Sequence, residues 1–179
     1  MALLKDNALF QYVEGSIGDQ ISIYKRNGQT IVAKKRGRSR KKPTKNQVLA
    51  RQKMAEAVGY ARAILKDPEM KAYYQSKAGP GQNAWNMAIS DALKSPEVQN
   101  IQAKDSTVVV TVRDKFAIAA VDVKITDAAG ILLEKGKAVL SRNGVDWYYR
   151  AANLPGGATI TVIAVDLPGN ETKKEIQLE

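Results

Sequence analysis

The spacing of apolar residues changes after residue 100, and this change constrains the fold more than any other feature. Beyond it, Val108, Val110 and Val112 alternate with Thr107, Val109 and Thr111, and a period of 2 is typical of a half-buried strand. Turn residues separate further runs of strand length. These runs are 117–125, 131–134, 137–141, 146–150, 158–166 and 172–178. Short strands at this spacing predict a β-sandwich over residues 101–179.

Between residues 44 and 97 the apolar residues recur with the period of a helix, and the pattern predicts three helices. Thr44 and Gln47 have the spacing of a capping box, so we expect the first helix to begin at Thr44. A stripe at helical spacing predicts its core face. The stripe comprises Ala50, Met54, Ala57, Val58, Ala61, Ile64 and Leu65.

Capping residues and prolines indicate where the second helix begins and where the third one ends. Asp67 suits the N-cap and Pro68 the first position of the second helix. The third is expected over about 82–94, before Ser95-Pro96. Its predicted core face consists of Trp85, Ala88, Ile89, Ala92 and Leu93. The boundary with the sandwich is expected near 96–105, which gives domains of residues 1–97 and 101–179.

Residues 20–34 have the pattern of a β-hairpin. Asn27-Gly28 stands between two apolar runs, and this dipeptide favours a type I′ turn because both positions need φ > 0. Such a turn pairs Tyr24 with Ile31 and Ile23 with Val32, and the two pairs face opposite sides. We therefore expect the hairpin to pack between elements of its own chain or to add to a partner's sheet.

Positive charge is concentrated in the first third of the chain. Residues 1–60 contain 13 Lys and Arg but 4 Asp and Glu, whereas residues 101–179 contain ten of each kind. Within the first third, the basic segment (residues 34–45) has no acidic residue. It contains Lys34, Lys35, Arg36, Arg38, Arg40, Lys41, Lys42 and Lys45. Gly37, Ser39 and Pro43 predict a loop there.

Such a block of like charge is often an interaction segment. Contact with the phosphates of nucleic acid is the first interpretation, and Arg51 on the following helix is predicted to extend the contact. An acidic protein surface, or a solvated segment with no specific role, remains an alternative.

The sandwich resembles bacterial immunoglobulin-like domains. The residues that carry the likeness are Val121-Asp-Val-Lys-Ile-Thr-Asp, Gly136-Lys-Ala138, Trp147-Tyr-Tyr and the closing Asp166-Leu-Pro-Gly-Asn170. The resemblance implies a sandwich without the paired cysteines of antibody domains and implies no particular function. The first hundred residues resemble uncharacterised bacterial proteins, through Gly15-x-Ile17-Gly18-Asp19 and the Tyr24-Lys-Arg-Asn-Gly hairpin, and no activity follows.

The chain has no cysteine and no histidine. Their absence excludes disulfides, thiol nucleophiles, Ser-His-Asp triads and imidazole bases. Asp122, Asp127 and Asp166 lack the spacing of a calcium loop, and no Lys-Ser/Thr follows Gly79-Pro80-Gly81 to make a phosphate loop. We therefore expect a protein that is not an enzyme and has no metal, cofactor or small-molecule substrate.

The apolar runs are of strand length, far short of the roughly 20 residues that cross a bilayer. The first residues also lack the pattern of a signal peptide. We expect no membrane contact and a cytoplasmic location, or a place in a particle assembled in the cytoplasm.

These observations predict an α+β fold: an N-terminal hairpin with a basic loop, a three-helix unit and an immunoglobulin-like β-sandwich. The first functional hypothesis is nucleic-acid binding by the basic segment and Arg51, with the sandwich as a protein-interaction module. The alternative is a structural subunit or decoration protein of a phage-like or injection-type particle. In it, the hairpin residues Ile23, Tyr24, Ile31 and Val32 and the basic arm make contacts between subunits.

Overall fold

The computed structural model describes residues 2–4, 10, 12–35 and 42–178, with the backbone alone for residues 2–4. The α+β class with a β-sandwich is confirmed. The chain divides into two compact units, Met1–Val48 and Leu49–Glu179. The second unit holds most of the helical region together with the sandwich. The boundary near residues 97–101 and the immunoglobulin-like relationship stay predictions.

The first unit contains a four-stranded antiparallel sheet. Its strands are β1 (Ala2–Leu4), β2 (Gly15–Ile17), β3 (Ile21–Arg26) and β4 (Gln29–Lys34), in the order β1-β4-β3-β2. Asn27 and Gly28 have φ of 51° and 75°, as a type I′ turn requires. The predicted pairs, Ile23 with Val32 and Tyr24 with Ile31, are confirmed.

Three helices follow, and local capping explains where they begin. They are α1 (Lys45–Ile64), α2 (Pro68–Ser76) and α3 (Ala84–Ala92). The Asp67 carboxylate accepts a hydrogen bond of 2.9 Å from the Glu69 amide, and the Asn83 side chain accepts one of 2.9 Å from the Asn86 amide. Each bond satisfies an amide that the first helical turn leaves without a partner.

The helical core differs in part from the predicted faces. Of the predicted stripe on α1, Ala57 and Ala61 are buried, but Ala50 and Met54 are exposed. On α3 the buried residues are Ala84, Met87, Ala88 and Asp91, whereas Trp85 and Leu93 are 36% and 43% exposed. The expected face of α3 is confirmed at Ala88 and was wrong at Trp85 and Leu93, because the helix is rotated so that Met87 and Asp91 point into the core.

The second unit continues with eight strands. They are β5 (Glu97–Lys104), β6 (Thr107–Arg113), β7 (Ile118–Thr126), β8 (Leu132–Lys137), β9 (Val139–Leu140), β10 (Asp146–Arg150), β11 (Thr159–Asp166) and β12 (Glu171–Gln177). They form two antiparallel sheets in the orders β5-β6-β10-β9 and β12-β11-β7-β8. Strand β5 was not predicted. Its ladder shifts register between Val98 and Asn100, so its buried residues Val98 and Ile101 are three positions apart rather than two or four.

The two sheets pack face to face around one apolar core. The inward residues of β6 alternate as predicted, with Val108, Val110 and Val112 at most 3% exposed. From the other sheet, β7 and β11 contribute fully buried aliphatic side chains, and Trp147 and Tyr149 fill the space near β8 and β9. In a β-sandwich, the inward-facing side chains that alternate along each strand form the core between two sheets about 10 Å apart.

The helices pack on one end of the sandwich. Phe116, from the β6–β7 connection, is buried in the helical cluster with Ala61, Tyr74 and Met87. The adjacent Ala117 amide donates a hydrogen bond of 2.7 Å to the Tyr73 hydroxyl. Helices and sandwich therefore share buried contacts within the second unit.

Two glycines allow a matched test of the contact between β8 and the Tyr149 ring. A Cβ at Gly136 would lie 2.6 Å from the Tyr149 ring, whereas one at Gly59 in α1 would have no atom within 4 Å. We expect Gly136→Ala to lower the free energy of unfolding by about 1–3 kcal/mol through overpacking. Gly59→Ala should raise it by about 0.5–1 kcal/mol because alanine loses less conformational entropy in a helix. Urea unfolding of both variants measures the difference, and equal effects would contradict the Tyr149 contact.

Candidate nucleic-acid interface

The basic segment begins at the end of a strand and leads into a helix. Lys34 is the last residue of β4, and the side chains of Lys34, Lys35, Lys42 and Lys45 are all exposed. Arg36, Arg38, Arg40 and Lys41 lie outside the described residues. The segment therefore presents exposed ammonium groups on both sides of its central stretch.

One of these lysines has an acidic neighbour. The Lys35 Nζ lies 2.9 Å from the Asp19 carboxylate, and the two side chains are 41% and 98% exposed. An ion pair this open to water contributes about 0–1 kcal/mol because solvent screens it. A phosphate oxygen could thus replace the Asp19 carboxylate at low cost.

The end of the segment is fixed by the capping box that the sequence predicts. The Thr44 amide donates to the Gln47 Oε1 over 3.1 Å, and the Gln47 amide donates to the Thr44 Oγ1 over 3.3 Å. Each bond satisfies a backbone donor at the start of α1. Lys45 consequently lies in the first helical turn, which contains no acidic residue.

The first three turns of α1 (residues 45–56) are exposed at every position, and we call them the exposed half of α1. They carry Lys45, Arg51 and Lys53. Between residues 34 and 56 the sequence has one acid, Glu56, at the end of this stretch. The predicted residue Arg51 is exposed on the part of α1 that belongs to the second unit.

The predicted hairpin interface occupies the centre of its sheet. Strand β3 pairs with β2 and β4, and β4 pairs with β1. Ile23 and Ile31 are 2% and 7% exposed, whereas Tyr24 is 37% exposed and Val32 is half-buried. A partner strand would therefore add at β1 or β2 rather than at the hairpin itself.

A buried polar chain in the helical core was not found from the sequence. The Tyr74 hydroxyl donates a hydrogen bond of 2.6 Å to the Asp91 Oδ2 and lies 2.8 Å from the Tyr60 hydroxyl. Asp91 is fully buried, and its Oδ1 has no partner within the described residues. Burial raises the pKa of Asp91 to about 7, with further rises from the charges of Asp166 and Asp114 and an opposing effect of the Tyr74 hydrogen bond.

Two of the three aspartates that lack the spacing of a calcium loop, Asp127 and Asp166, accept hydrogen bonds within turns. Asp127 accepts hydrogen bonds from the amides of Ala129 and Ile131 at 2.9 and 2.8 Å. Asp166 accepts one of 2.6 Å from the Asn170 amide. Among the described residues, no three acidic side chains are grouped so that they could hold a metal ion. In the same part of the chain, no helix has both the length and the apolar character to cross a membrane.

Comparison with known proteins shows no family. No protein-family model and no curated protein matches the chain. Among solved structures, CopC from Methylosinus trichosporium OB3b is similar with a TM-score of 0.35 and 14% identity, over 48% of this chain and 87% of CopC. An engineered protein is similar with a TM-score of 0.36 and 13% identity, over 57% of this chain and 31% of the engineered one.

Proposed function

We propose that this protein is a non-enzymatic binding protein whose basic segment contacts nucleic-acid phosphates. The observation that carries the proposal is the exposure of Lys34, Lys35, Lys42 and Lys45 in a segment without an acidic residue. Each lysine or arginine that neutralises a phosphate releases condensed counterions. A segment with eight such residues can release counterions at several phosphates, and each release favours binding. Solubility alone does not require so dense a block of positive charge.

The proposal is tested by purification at low salt and in about 1 M salt, where the Debye length is near 3 Å. The absorbance ratio at 260 and 280 nm, with and without nuclease, then reports bound nucleic acid. We expect nucleic acid to co-purify at low salt alone. The logarithm of the association constant should then fall linearly with the logarithm of salt concentration. Clean protein at low salt that also fails to bind added DNA or RNA would overturn the proposal.

The sandwich supplies a second, protein-binding surface in this proposal. Val139 and Tyr148 are paired across β9 and β10 and are 70% and 43% exposed. In the other sheet, Leu132 and Leu133 at the start of β8 and the preceding Ile131 are 46–64% exposed. Exposed tyrosine beside aliphatic side chains is typical of protein interfaces. The same surface supports the alternative function, a structural subunit or decoration protein of a phage-like or injection-type particle.

A substitution on the exposed pair tests this surface. If the chain assembles through it, Val139→Lys should weaken the assembly at least about tenfold, because an ammonium group would be desolvated in the contact. Gln177→Lys, at an exposed position on β12, is the matched control. Ile23→Lys would be a poor test because Ile23 is 2% exposed. Light scattering measures the mass, and a monomer of 19.5 kDa at high concentration with no recovered partner would count against the assembly role.

A further inference from the structure

The chain contains two Asn-Gly dipeptides, Asn27-Gly28 and Asn143-Gly144. Each lies in a turn between two strands, and the glycines have φ of 75° and 72°. Both asparagines are exposed, and a Cβ at either glycine would have no heavy atom within 4 Å. The two dipeptides thus have the same sequence and similar access to solvent. They differ in the hydrogen bonds around the asparagine side chain.

Neighbouring groups hold the Asn143 side chain in one orientation. Its Nδ2 donates a hydrogen bond of 2.6 Å to the Asp146 carboxylate, and its Oδ1 accepts from the Val145 and Asp146 amides at 3.0 Å each. The Gly144 amide donates to the Ser141 carbonyl over 3.0 Å. Both polar atoms of this side chain, and the backbone nitrogen that follows it, are therefore engaged.

The turn at Asn27 is open by comparison. The ladder pairs Arg26 with Gln29, so Asn27 and Gly28 form a two-residue loop whose central N–H groups lie outside the ladder. Among the residues that the structure describes, neither the Asn27 side chain nor the Gly28 amide has a hydrogen-bond partner. The Asn27 side chain can consequently rotate toward the Gly28 nitrogen without breaking a bond to any of these residues.

We propose that Asn27 is a site of spontaneous deamidation and that the hydrogen bonds around Asn143 protect the second dipeptide. The Gly28 backbone nitrogen attacks the Asn27 Cγ, so that a new Cγ–N bond forms while the Cγ–Nδ2 bond breaks. The proton of the Gly28 amide passes to Nδ2, which leaves as ammonia. Water then adds to one of the two carbonyl carbons of the succinimide and opens the ring. The product is aspartate or isoaspartate at position 27, and no oxidant or reductant takes part.

The hydrogen bonds decide the difference in rate because the attack requires the asparagine side chain to rotate toward the next backbone nitrogen. At Asn143 this rotation breaks three hydrogen bonds, one of them to a carboxylate. Their loss slows the attack at least about tenfold relative to Asn27. Glycine at the following position adds no side chain to hinder either site, so the contrast comes from the contacts alone.

The modification alters the hairpin as well as its charge. Isoaspartate adds a carbon atom to the backbone of the two-residue loop, and loop length and turn type set the register of a hairpin. The pairing of Ile23 with Val32 is therefore disturbed, although Ile23 is 2% exposed in the intact sheet. Either product also carries a new carboxylate, which lowers the net charge of +10 by one. These effects do not depend on nucleic-acid binding.

The test follows both dipeptides in one sample of the full chain, kept in warm, mildly alkaline buffer. Trypsin cleaves after lysine and arginine and so releases residues 27–34 and 143–150, each beginning with its Asn-Gly dipeptide. Mass spectrometry detects the gain in mass when the amide becomes a carboxyl. We expect the gain in 27–34 to be at least about tenfold faster than in 143–150. Equal rates in the folded protein, or a faster gain in 143–150, would overturn the proposal.

Two further measurements separate the contacts from the local sequence. In concentrated urea the hydrogen bonds are lost, and the rates of the two peptides should become similar. Asp146→Ala removes the acceptor of the Asn143 Nδ2 and should speed the gain in 143–150 several-fold. Glu171→Ala, which removes a carboxylate at an exposed position on β12, is the matched control and should leave both rates unchanged. An unchanged rate in Asp146→Ala would overturn protection by these bonds.

Discussion

Replacing Arg36, Arg38, Arg40 and Lys41 with glutamine is expected to weaken nucleic-acid binding at least about a hundredfold near 0.1 M salt. Each phosphate contact contributes about 0.9 to the slope of log K against log salt. Loss of four contacts should therefore reduce the magnitude of that slope by about 3–4. Fluorescence anisotropy with labelled DNA and RNA at four or five salt concentrations measures both quantities.

A control of the same charge change separates the segment from the net charge of +10. Lys124, Lys135, Lys137 and Arg150 are exposed on the sandwich, and their replacement with glutamine removes four positive charges there. We expect this control to alter affinity by less than about fivefold, through long-range attraction that salt screens. Equal losses in both quadruple variants would show that the basic segment is not the contact.

The second large effect is expected in the pH dependence of stability. Asp91 has a pKa of 3.8 in an unfolded chain and about 7 in the folded protein. Between these values the unfolded chain has released the proton while the folded protein still holds it, so unfolding becomes easier as pH rises. Because each pKa unit corresponds to about 1.4 kcal/mol, the free energy of unfolding should fall by about 3–5 kcal/mol between pH 4 and pH 8.

Asp91→Asn should remove most of this fall. The amide oxygen still accepts the Tyr74 hydroxyl, but the amide nitrogen is placed where Oδ1 has no partner among the described residues. The variant is therefore expected to be less stable than the wild type at pH 4 by about 1–3 kcal/mol, the cost of a buried unsatisfied donor. At pH 8 the order should reverse.

Urea unfolding at four pH values measures the crossing of the two stability curves. Glu171→Gln, at an exposed position on β12, is the control and should run parallel to the wild type. Burial also raises the pKa of Asp166, so a smaller fall should persist in Asp91→Asn. Parallel curves for the wild type and Asp91→Asn would contradict the burial of an ionisable carboxyl in the helical core.

The features that the sequence predicted correctly depend on residues close together in the chain. The Asn27-Gly28 turn, the Thr44–Gln47 capping box and the Asp67 N-cap each require a few neighbouring side chains. Regular alternation of apolar and polar residues identified the strands after residue 106, because each strand buries one of its two faces in the core. Strand β5 lacked this alternation, since a register shift separates Val98 and Asn100.

The features that were missed depend on packing between distant segments. The helical stripe gave no sign that α1 is covered from Ala57 onward and exposed before it, because Ala50 and Met54 continue the same spacing. Nor could spacing place Phe116 among the helices or Asp91 in their core. For the candidate site, composition alone located the basic segment, whereas the accessibility of Arg51 required the structure.

The end of α3 is completed by a residue that is synthesised much later. The side-chain Nδ2 of Asn170 donates to the backbone carbonyls of Asp91 and Lys94 at 3.3 and 3.2 Å, across 79 and 76 residues of chain. During translation at about 5–20 residues per second, several seconds pass before the ribosome adds this partner. Throughout that interval the helices have neither the Asn170 bonds nor, at first, Phe116. Their final packing therefore waits for the last hairpin of the sandwich, and until then the apolar faces of the nascent helices are open to chaperones.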